Sequence, residues 1–260
     1  MYKKEKQRLP ARILIFIEVD VVVRHFVFSG AFNKLAETFD VTFVYPEKGN
    51  KRMQNVDLGK IDLPGDKIRL PIPNARYRVW KWLYLLHQVS AKKGEQSKAI
   101  RALHLRNLGP KAALLFSCLA LPVVSKLVEW LFRAWLKLNQ NHEMVQLLTD
   151  RKPNLIIHPC VLEGSYINDL TYYSKALNIP LAVIMNSWDN PSTKRSMVGY
   201  PDWLLVWGEQ TRRHALEFIG MPEQRVLSFG AAQFDIFRTN PNQSTNQTIC
   251  QSLSSIPTVL

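Results

Sequence analysis

Cysteine is scarce in this sequence. Three cysteines, Cys118, Cys160 and Cys250, are spread over 260 residues, with no CxxC pair and no cysteine–histidine cluster. An odd number at such spacings argues against a disulfide framework and against a zinc site. We therefore expect a protein of the reduced cytoplasm with no structural metal.

The glycine-rich motifs that bind nucleotides are also missing. Where a dinucleotide-binding protein has GxGxxG after its first strand, this chain has EVDVVVRHF, residues 18–26. The P-loop, the GxSxG of serine hydrolases and the HExxH of zinc proteases are absent as well. The sequence thus predicts neither a cofactor nor a metal ion bound to these residues.

Long hydrophobic runs are lacking too. Within residues 1–238 the longest uncharged run, residues 112–125, has 14 residues and contains Pro122, whereas a helix needs about 20 apolar residues to span a bilayer. Near the start, the apolar run Ile13–Ile17 is interrupted by Glu18 and Asp20, too early for the core of a signal peptide. We therefore expect no transmembrane helix.

Seven short runs rich in Val, Ile and Leu are present, most of them separated by enough residues for a helix. They are RILIFI (12–17), VTFVY (41–45), KIRL (67–70), NLIIHP (154–159), LAVIMN (181–186), WLLVW (203–207) and RVLSFG (225–230). Runs that are apolar on both faces are typical of parallel strands covered by helices. The predicted fold class is α/β, a Rossmann-like and mostly parallel sheet with helices on both faces.

One part of the chain is strongly basic. Between Lys67 and Lys111 there are eleven Lys or Arg and one acid, Glu95, interleaved with aromatic residues. We expect a basic helical insert over residues 75–138. Such a surface suits either an anionic membrane or nucleic acid, with nucleic acid the less favoured of the two.

Two stripes in this insert have helical spacing. The first comprises Val79, Trp82, Leu83 and Leu86, and the second comprises Leu127, Leu131, Trp135 and Leu138. The first stripe predicts either a helix that faces the core or a helix that lies on lipid headgroups, with Trp80 and Trp82 at the interface. For the second stripe we expect ordinary packing against the core.

A polar segment, MNSWDNPSTKR (185–195), separates two of the apolar runs. One interpretation is a turn that caps a short helix, because Asn and Asp bond to nearby backbone and Pro suits a first helical position. The other is a binding site, because open α/β sheets bind ligands at the carboxyl ends of their strands. Trp188 next to Asp189 and Asn190 offers a stacking face and polar groups for a sugar.

The composition changes after residue 238. The segment TNPNQSTNQTICQSLSSIPTVL is polar and rich in turn-forming residues, and it ends on a strand-like PTVL. We expect residues 1–238 to form a Rossmann-like N-terminal domain. We expect residues 239–260 to form a linker and the start of a C-terminal domain that this chain lacks.

Two parts of the chain resemble known proteins. SWDNPSTKR, then PDWLLVWGEQTRRHALEFIGMPEQRVLSFGAAQFDIF, and the early stretch VRHFVFSGAFNKLAETFDVTFVYPE (23–47) are similar to the N-terminal domain of GT-B proteins. The resemblance is to surface-polysaccharide proteins near the CDP-glycerol glycerophosphotransferases, and more distantly to UDP-N-acetylglucosamine 2-epimerases. HPCVLEGSY (158–166) replaces the acidic motif of the epimerases.

The resemblance implies a division of labour. In GT-B transferases the N-terminal domain receives the acceptor and the C-terminal domain binds the nucleotide-linked donor. The implied function is the acceptor-binding domain of a glycosyl- or glycerophosphotransferase of surface-glycan synthesis, inactive without its C-terminal domain. The implied acceptor is a sugar or a lipid-linked molecule, met in the cytoplasm or at the inner face of the membrane. The alternative is a non-catalytic module that binds membrane or nucleic acid through the insert.

Transfer to a hydroxyl needs a base and positive charge near the leaving group. The catalytic candidates at the predicted strand ends are Asp189, His25 and Glu163, and the substrate-binding candidates are Arg24, Trp188, Asn190, Lys194, Glu209, Gln210 and Asp235. Each has a structural alternative. Glu163 and Glu209 suit the first turn of a helix, His25 suits a helix start, and Asp235 suits a loop before a hinge.

Overall fold

The fold is built on one parallel sheet of seven strands. The computed structural model describes residues 10–46, 59–90, 95–160, 164–188, 191 and 197–234. The strands are β1 (Arg12–Phe16), β2 (Asp40–Pro46), β3 (Asp66–Leu70), β4 (Leu155–Cys160), β5 (Leu181–Met185), β6 (Trp203–Val206) and β7 (Val226–Ser228). Their order is β3-β2-β1-β4-β5-β6-β7, and every pair is parallel. The predicted Rossmann-like α/β fold and all seven predicted strands are confirmed.

The apolar side chains of the strands fill a core on each face of the sheet. In β1, Leu14 and Phe16 belong to one buried cluster, and Ile13 and Ile15 belong to another. Successive residues of a strand point to opposite faces, so a strand covered on both sides needs apolar residues at every position. This is why the strands appear in the sequence as continuous apolar runs.

Helices cover both faces of the sheet. They are α1 (Asp20–Val22), which continues as a π-helical turn (Val23–Val27), α2 (Ala31–Ala36), α3 (Asn74–Ser90), α4 (Glu95–Leu108), α5 (Pro110–Leu119), α6 (Pro122–Leu138), α7 (His142–Arg151), α8 (Ile167–Ala176) and α9 (Glu209–His214), which continues as a second π-helical turn (Ala215–Ile219). Residues of α1 and α2 pack in the cluster that contains Ile13, and residues of α7, α8 and the π-helical turn after α9 pack in the cluster that contains Leu14.

A buried ion pair fastens α3 to the body of the domain. The guanidinium of Arg76 donates to the carboxylate of Asp169 on α8 and to the carbonyl of Asn139. Asn141 also donates to Asp169, at 2.8 Å, and its backbone amide donates to the Tyr173 hydroxyl at 2.7 Å. Burial raises the pKa of Asp169 to about 6, although Arg76 and Asn141 oppose that shift. Asp169 lies in the first turn of α8, yet its main role is to hold α3 and the segment before α7.

The side of α6 that faces the core differs from the predicted one. On α3, Leu83 and Leu86 are buried, so part of the first stripe faces a core, while Trp82 remains half exposed and stacks on Phe116 of α5 with ring centroids 5.0 Å apart. On α6 the buried residues are Phe132 and Leu136. The prediction of a core-facing stripe is therefore wrong for three of its four members, because three of these side chains are exposed: Leu127, Leu131 and Leu138.

The length and hydropathy of the helices determine whether any of them could cross a bilayer. Among the described residues, no single helix is both long and apolar enough to cross a membrane. Taken together, α5 and α6 reach the required length and hydropathy, but they meet at a bend of 86°.

Replacing Arg76 by Met should lower the free energy of unfolding by about 3–5 kcal/mol, because it leaves the buried Asp169 carboxylate without its cation. Chemical denaturation followed by circular dichroism measures this. Arg78→Met on the exposed side of the same helix is the matched control and should change the stability by less than about 0.5 kcal/mol. Equal effects of the two substitutions would contradict the role given to Arg76.

Candidate functional site

The centre of the sheet contains the place where a Rossmann-like fold commonly binds its ligand. The chain runs outward from β1 to β3 and then returns to β4 on the other side of β1. The loops that follow β1 and β4 therefore lead away in opposite directions and open a crevice at the carboxyl ends of these strands. The side chains in that crevice decide what it can bind.

The carboxylate of Glu18 fills this crevice. Glu18 follows β1, is almost fully buried, and accepts a bond of 2.9 Å from Nε2 of His158 on β4. It also accepts from two backbone amides that lead into α8, those of Ser165 at 2.6 Å and Tyr166 at 2.8 Å. One buried carboxylate thus joins β1, β4 and the start of α8.

The chain approaches Glu18 closely at Gly164. Its φ of +147° is rare for residues with a side chain, and a Cβ atom there would lie 2.7 Å from Oε2 of Glu18. A glycine is therefore required for the amides of the next two residues to reach the carboxylate.

The surroundings of His158 favour its charged form. Burial opposes the imidazolium form of His158, but Cys160 and Glu18 outweigh it and raise the pKa of His158 to about 10. The amides before a helix normally form a site for phosphate, and here the protein's own carboxylate occupies two of them. His158 has no exposed surface. The crevice between β1 and β4 is thus built as an internal structural contact.

A second group of side chains lies at the same edge of the sheet, toward β5. In the π-helical turn after α1, Nδ1 of His25 lies 3.0 Å from the carbonyl oxygen of Asn186, the residue that follows β5. A carbonyl only accepts, so Nδ1 carries the proton and, in the neutral ring, Nε2 is left as a base. Burial lowers the pKa of His25, and Arg24 adds to this, while the bond to Asn186 opposes it. Burial in this position therefore favours the neutral form of the ring.

Aromatic side chains follow the neighbouring strands β5 and β6 at the same edge of the sheet. Trp188, two residues beyond Asn186, is 53% exposed. Trp207, which follows β6, donates its Nε1–H to the Met185 carbonyl at 3.0 Å. Its ring meets Phe234 edge to face, with centroids 6.0 Å apart. The turn that contains Phe234 packs against the π-helical turn of His25. We call His25, Asn186, Trp188, Trp207 and Phe234 the His25 corner.

The structure describes half of the predicted site residues. His25 and Trp188 belong to the His25 corner. Arg24 is mostly exposed, with Nη2 3.7 Å from Oδ2 of Asp20. Glu209 and Gln210 are exposed in the first turn of α9, where Glu209 lies 3.5 Å from Arg212. The remaining candidates lie outside the described residues and stay predictions: Asp189, Glu163, Asn190, Lys194 and Asp235.

Sequence reasoning missed three residues. Glu18 was noted only as an interruption of an apolar run, although an acid directly after a buried strand is a signal of a buried polar contact. Asn186 and Trp207 end two predicted strands. Their position at the carboxyl edge could be predicted from the sequence, but their hydrogen bonds could not. Among the described residues, no three His, Cys, Asp or Glu side chains come together as a metal site.

Comparisons with known proteins concern the fold. No protein-family model matches the chain, and no curated protein matches its sequence. It is similar to the structure of UDP-N-acetylglucosamine 2-epimerase from Rickettsia bellii, with 8% identity, a TM-score of 0.47, and coverage of 93% of this chain and 51% of that chain. The corresponding values for the Neisseria meningitidis UDP-GlcNAc 2-epimerase bound to UDP-GlcNAc are 10%, 0.48, 95% and 55%. For Arabidopsis thaliana UGT89C1 complexed with UDP-L-rhamnose they are 12%, 0.37, 96% and 56%.

The chain thus spans about half the length of these structures. The Rossmann-like assignment rests on the parallel sheet itself.

Replacing Glu18 by Gln should lower the free energy of unfolding by about 3 kcal/mol near neutral pH, because it removes a buried charge that three donors bind. The effect should depend on pH. The raised pKa of His158 stabilises the fold below pH 6.5, and this contribution is lost as the pH rises toward about 10. Urea denaturation at pH 6 and pH 9 measures both effects.

In the wild-type protein, stability should fall between these two pH values, and in Glu18→Gln the fall should be smaller. Asp20→Asn, two residues away and partly exposed, serves as the control and should resemble the wild type. An identical fall in Glu18→Gln would contradict a charged pair.

The His25 ring should titrate with a midpoint below 6.5, because burial in the corner disfavours its charged form. The chemical shift of its Cε1–H, followed by NMR as a function of pH, measures this. In the urea-unfolded protein the midpoint of the same titration should be about 6.5. A midpoint above 6.5 in the folded protein would show that the ring is held as a cation and is no base.

Proposed function

We propose that the chain is the acceptor-side domain of a glycosyl- or glycerophosphotransferase of surface-polysaccharide synthesis. The observation that carries this proposal is the hydrogen bond of 3.0 Å between Nδ1 of His25 and the Asn186 carbonyl, which leaves Nε2 of the neutral ring available as a base. A positioned base beside exposed aromatic rings is the equipment needed to bind a sugar or polyol hydroxyl and to activate it.

The occupied crevice supports the acceptor side in particular. A donor linked to a nucleotide presents a diphosphate, and diphosphates bind where amides before a helix are available. Here Ser165 and Tyr166 donate their amides to Glu18. We infer that the donor binds to another Rossmann-like domain, which would face the carboxyl edge of this sheet. We also infer that the present domain, residues 1–238, holds no cofactor.

The proposed reaction starts with the acceptor at the His25 corner. Nε2 of His25 takes the proton of the acceptor hydroxyl as its oxygen bonds to the sugar carbon, or to the phosphorus, of the donor. The bond from that atom to the nucleotide leaving group breaks, and the leaving group keeps the electron pair. Trp188 offers its exposed face to the acceptor, and Arg24 adds positive charge at the same end of the sheet.

Asp189 is the alternative base in this proposal. It stands three residues beyond Asn186 in the sequence, next to Trp188. A carboxylate and an imidazole at one site can divide the work, one taking the proton and the other orienting the hydroxyl.

Transfer activity tests the proposal. Extracts of a deletion strain complemented with each variant are supplied with radiolabelled CDP-glycerol or UDP-N-acetylglucosamine, and the label that enters polymer or lipid is measured. His25→Gln should lower kcat by about a hundredfold or more, with KM nearly unchanged, because the base acts in the transition state. Asp189→Asn is measured in parallel to decide which of the two is the base.

The control is His142→Gln, an exposed histidine at the start of α7, which should leave transfer unchanged. Activity of His25→Gln equal to that of the control would remove His25 from the mechanism. If neither His25→Gln nor Asp189→Asn lowers transfer, the His25 corner does not carry the reaction.

A further inference from the structure

Helix α6 is apolar on two opposite sides. Its inner side packs through Phe132 and Leu136 against Leu83 of α3. Its outer side carries large apolar residues that recur at helical spacings and are at least half exposed: Val123, Leu127, Trp130, Leu131 and Leu138. Val123 and Leu138 are 81% and 82% exposed, and the Trp130 ring is 62% exposed. A surface helix of a soluble protein normally has one apolar side, so the outer side calls for a partner.

The apolar surface continues around a corner. Helix α5 ends at Leu119, and α6 begins at Pro122 at an angle of 86°. Leu121 lies in the turn between them and is exposed, as are Leu114 and Leu115 on α5. We call the exposed apolar residues of α5, α6 and the turn the α5–α6 corner. The corner thus contains eight large exposed apolar side chains, whereas those of the strands are mostly buried.

Positive charge borders the α5–α6 corner. Lys126, Arg133 and Lys137 recur at spacings of seven and four residues, and all three are exposed. On a helical projection they fall together beside the outer stripe, between Trp130 and the buried Leu136. Residues 96–128 contain no Asp or Glu. The acid of α6, Glu129, has its Oε1 3.2 Å from Nε2 of His87 on α3.

The rest of the helical region has the same sign of charge. Between Asn74 and Leu138 there are twelve Lys or Arg and two Glu, so this region supplies ten of the thirteen net positive charges of the chain. An anionic surface is therefore the electrostatic complement of the region that carries the α5–α6 corner.

We propose that the α5–α6 corner inserts into one leaflet of an anionic lipid bilayer and holds the domain there as a peripheral membrane protein. The outer stripe of α6 and the leucines of α5 enter the boundary between headgroups and acyl chains. Lys126, Arg133 and Lys137 remain at the level of the lipid phosphates. An apolar side bordered by basic residues is the pattern of a helix that lies in the plane of the interface.

The geometry favours this arrangement over two others. A bend of 86° between α5 and α6, together with the charges along α6, suits a corner lying in one leaflet better than a straight span. Nucleic acid would be attracted by the same charges, but its phosphates bind cations and its bases stack on aromatic rings, so neither would cover a stripe of Leu and Val. The membrane contact expected for Trp80 and Trp82 of α3 thus moves to α5 and α6.

This inference does not depend on the proposed reaction. Membrane binding can be measured with the purified chain and no substrate, so a negative transfer assay would leave it standing. A failure of membrane binding would likewise leave the His25 corner untouched.

The test is co-sedimentation with vesicles of phosphatidylcholine alone or mixed with phosphatidylglycerol. The wild type should pellet with the anionic vesicles at low salt, less at high salt, and little with the neutral ones. The double variant Leu127→Asn with Trp130→Asn should bind at least about tenfold more weakly, because it makes the inserted stripe polar. Lys126→Glu with Arg133→Glu should weaken binding to anionic vesicles to a similar extent.

The matched control is Leu177→Asn with Leu227→Asn, two exposed leucines outside the helices α3–α6, which should bind like the wild type. Circular dichroism and thermal unfolding confirm that each variant is folded. A dye on Cys118, exposed on α5, in a chain with Cys250→Ser, should be quenched by nitroxide-labelled lipids when vesicles are added.

Three results would overturn the proposal. The first is a wild type that stays in the supernatant with anionic vesicles at low salt. The second is full binding by the Leu127 and Trp130 variant, because charge alone would then explain the attraction. The third is a dimer in sedimentation velocity that the same variant dissociates, because a second copy of the chain would then cover the α5–α6 corner.

Discussion

The contact on which the domain depends is the buried carboxylate of Glu18. It accepts hydrogen bonds from a strand side chain, His158, and from the two backbone amides before α8. A buried charge is tolerated only when it is paired and hydrogen-bonded. One side chain that follows β1 therefore ties the start of α8 to the centre of the sheet.

This contact has a consequence for function. The crevice between the two central strands, together with the helix beside it, is where such sheets commonly take up phosphate. In this chain the amides of Ser165 and Tyr166 already donate to Glu18. The polar groups that remain available at this edge of the sheet are those at the ends of β5 and β6. The Asn186 carbonyl orients His25 there. Trp188 follows β5, and Trp207 follows β6 and donates to the Met185 carbonyl. The helices α3–α6 are attached separately, through Arg76 and Asp169.

The strands could be predicted from the sequence because each is covered on both faces. A strand such as β5, LAVIM, is buried at all of its positions, so its composition alone identifies it. The orientation of α6 could not be predicted in the same way. Periodicity shows that a helix has an apolar side, but α6 has two, and only packing against α3 determines which one is inside.

The site was predicted less completely, for a physical reason. His25 and Trp188 follow strands, and the rule for open α/β sheets was enough to predict their position at the carboxyl edge of the sheet, while their roles in binding or catalysis stay predictions. The bond from Glu18 to His158 joins residues 140 positions apart, and nothing local in the sequence specifies it. The same holds for Arg76 and Asp169, which are 93 positions apart. Asp189 remains a prediction, since it lies outside the described residues.

The central claim is that Glu18 closes the phosphate site and leaves the His25 corner for an acceptor. Amide and indole NMR shifts of the labelled protein, recorded with UDP and separately with N-acetylglucosamine or glycerol 3-phosphate, test it most directly. The account predicts that UDP leaves the Ser165 and Tyr166 amides unmoved, while an acceptor moves the indole signals of Trp188 and Trp207. Shifts of those two amides on addition of UDP, with unmoved indole signals on addition of the acceptors, would contradict it.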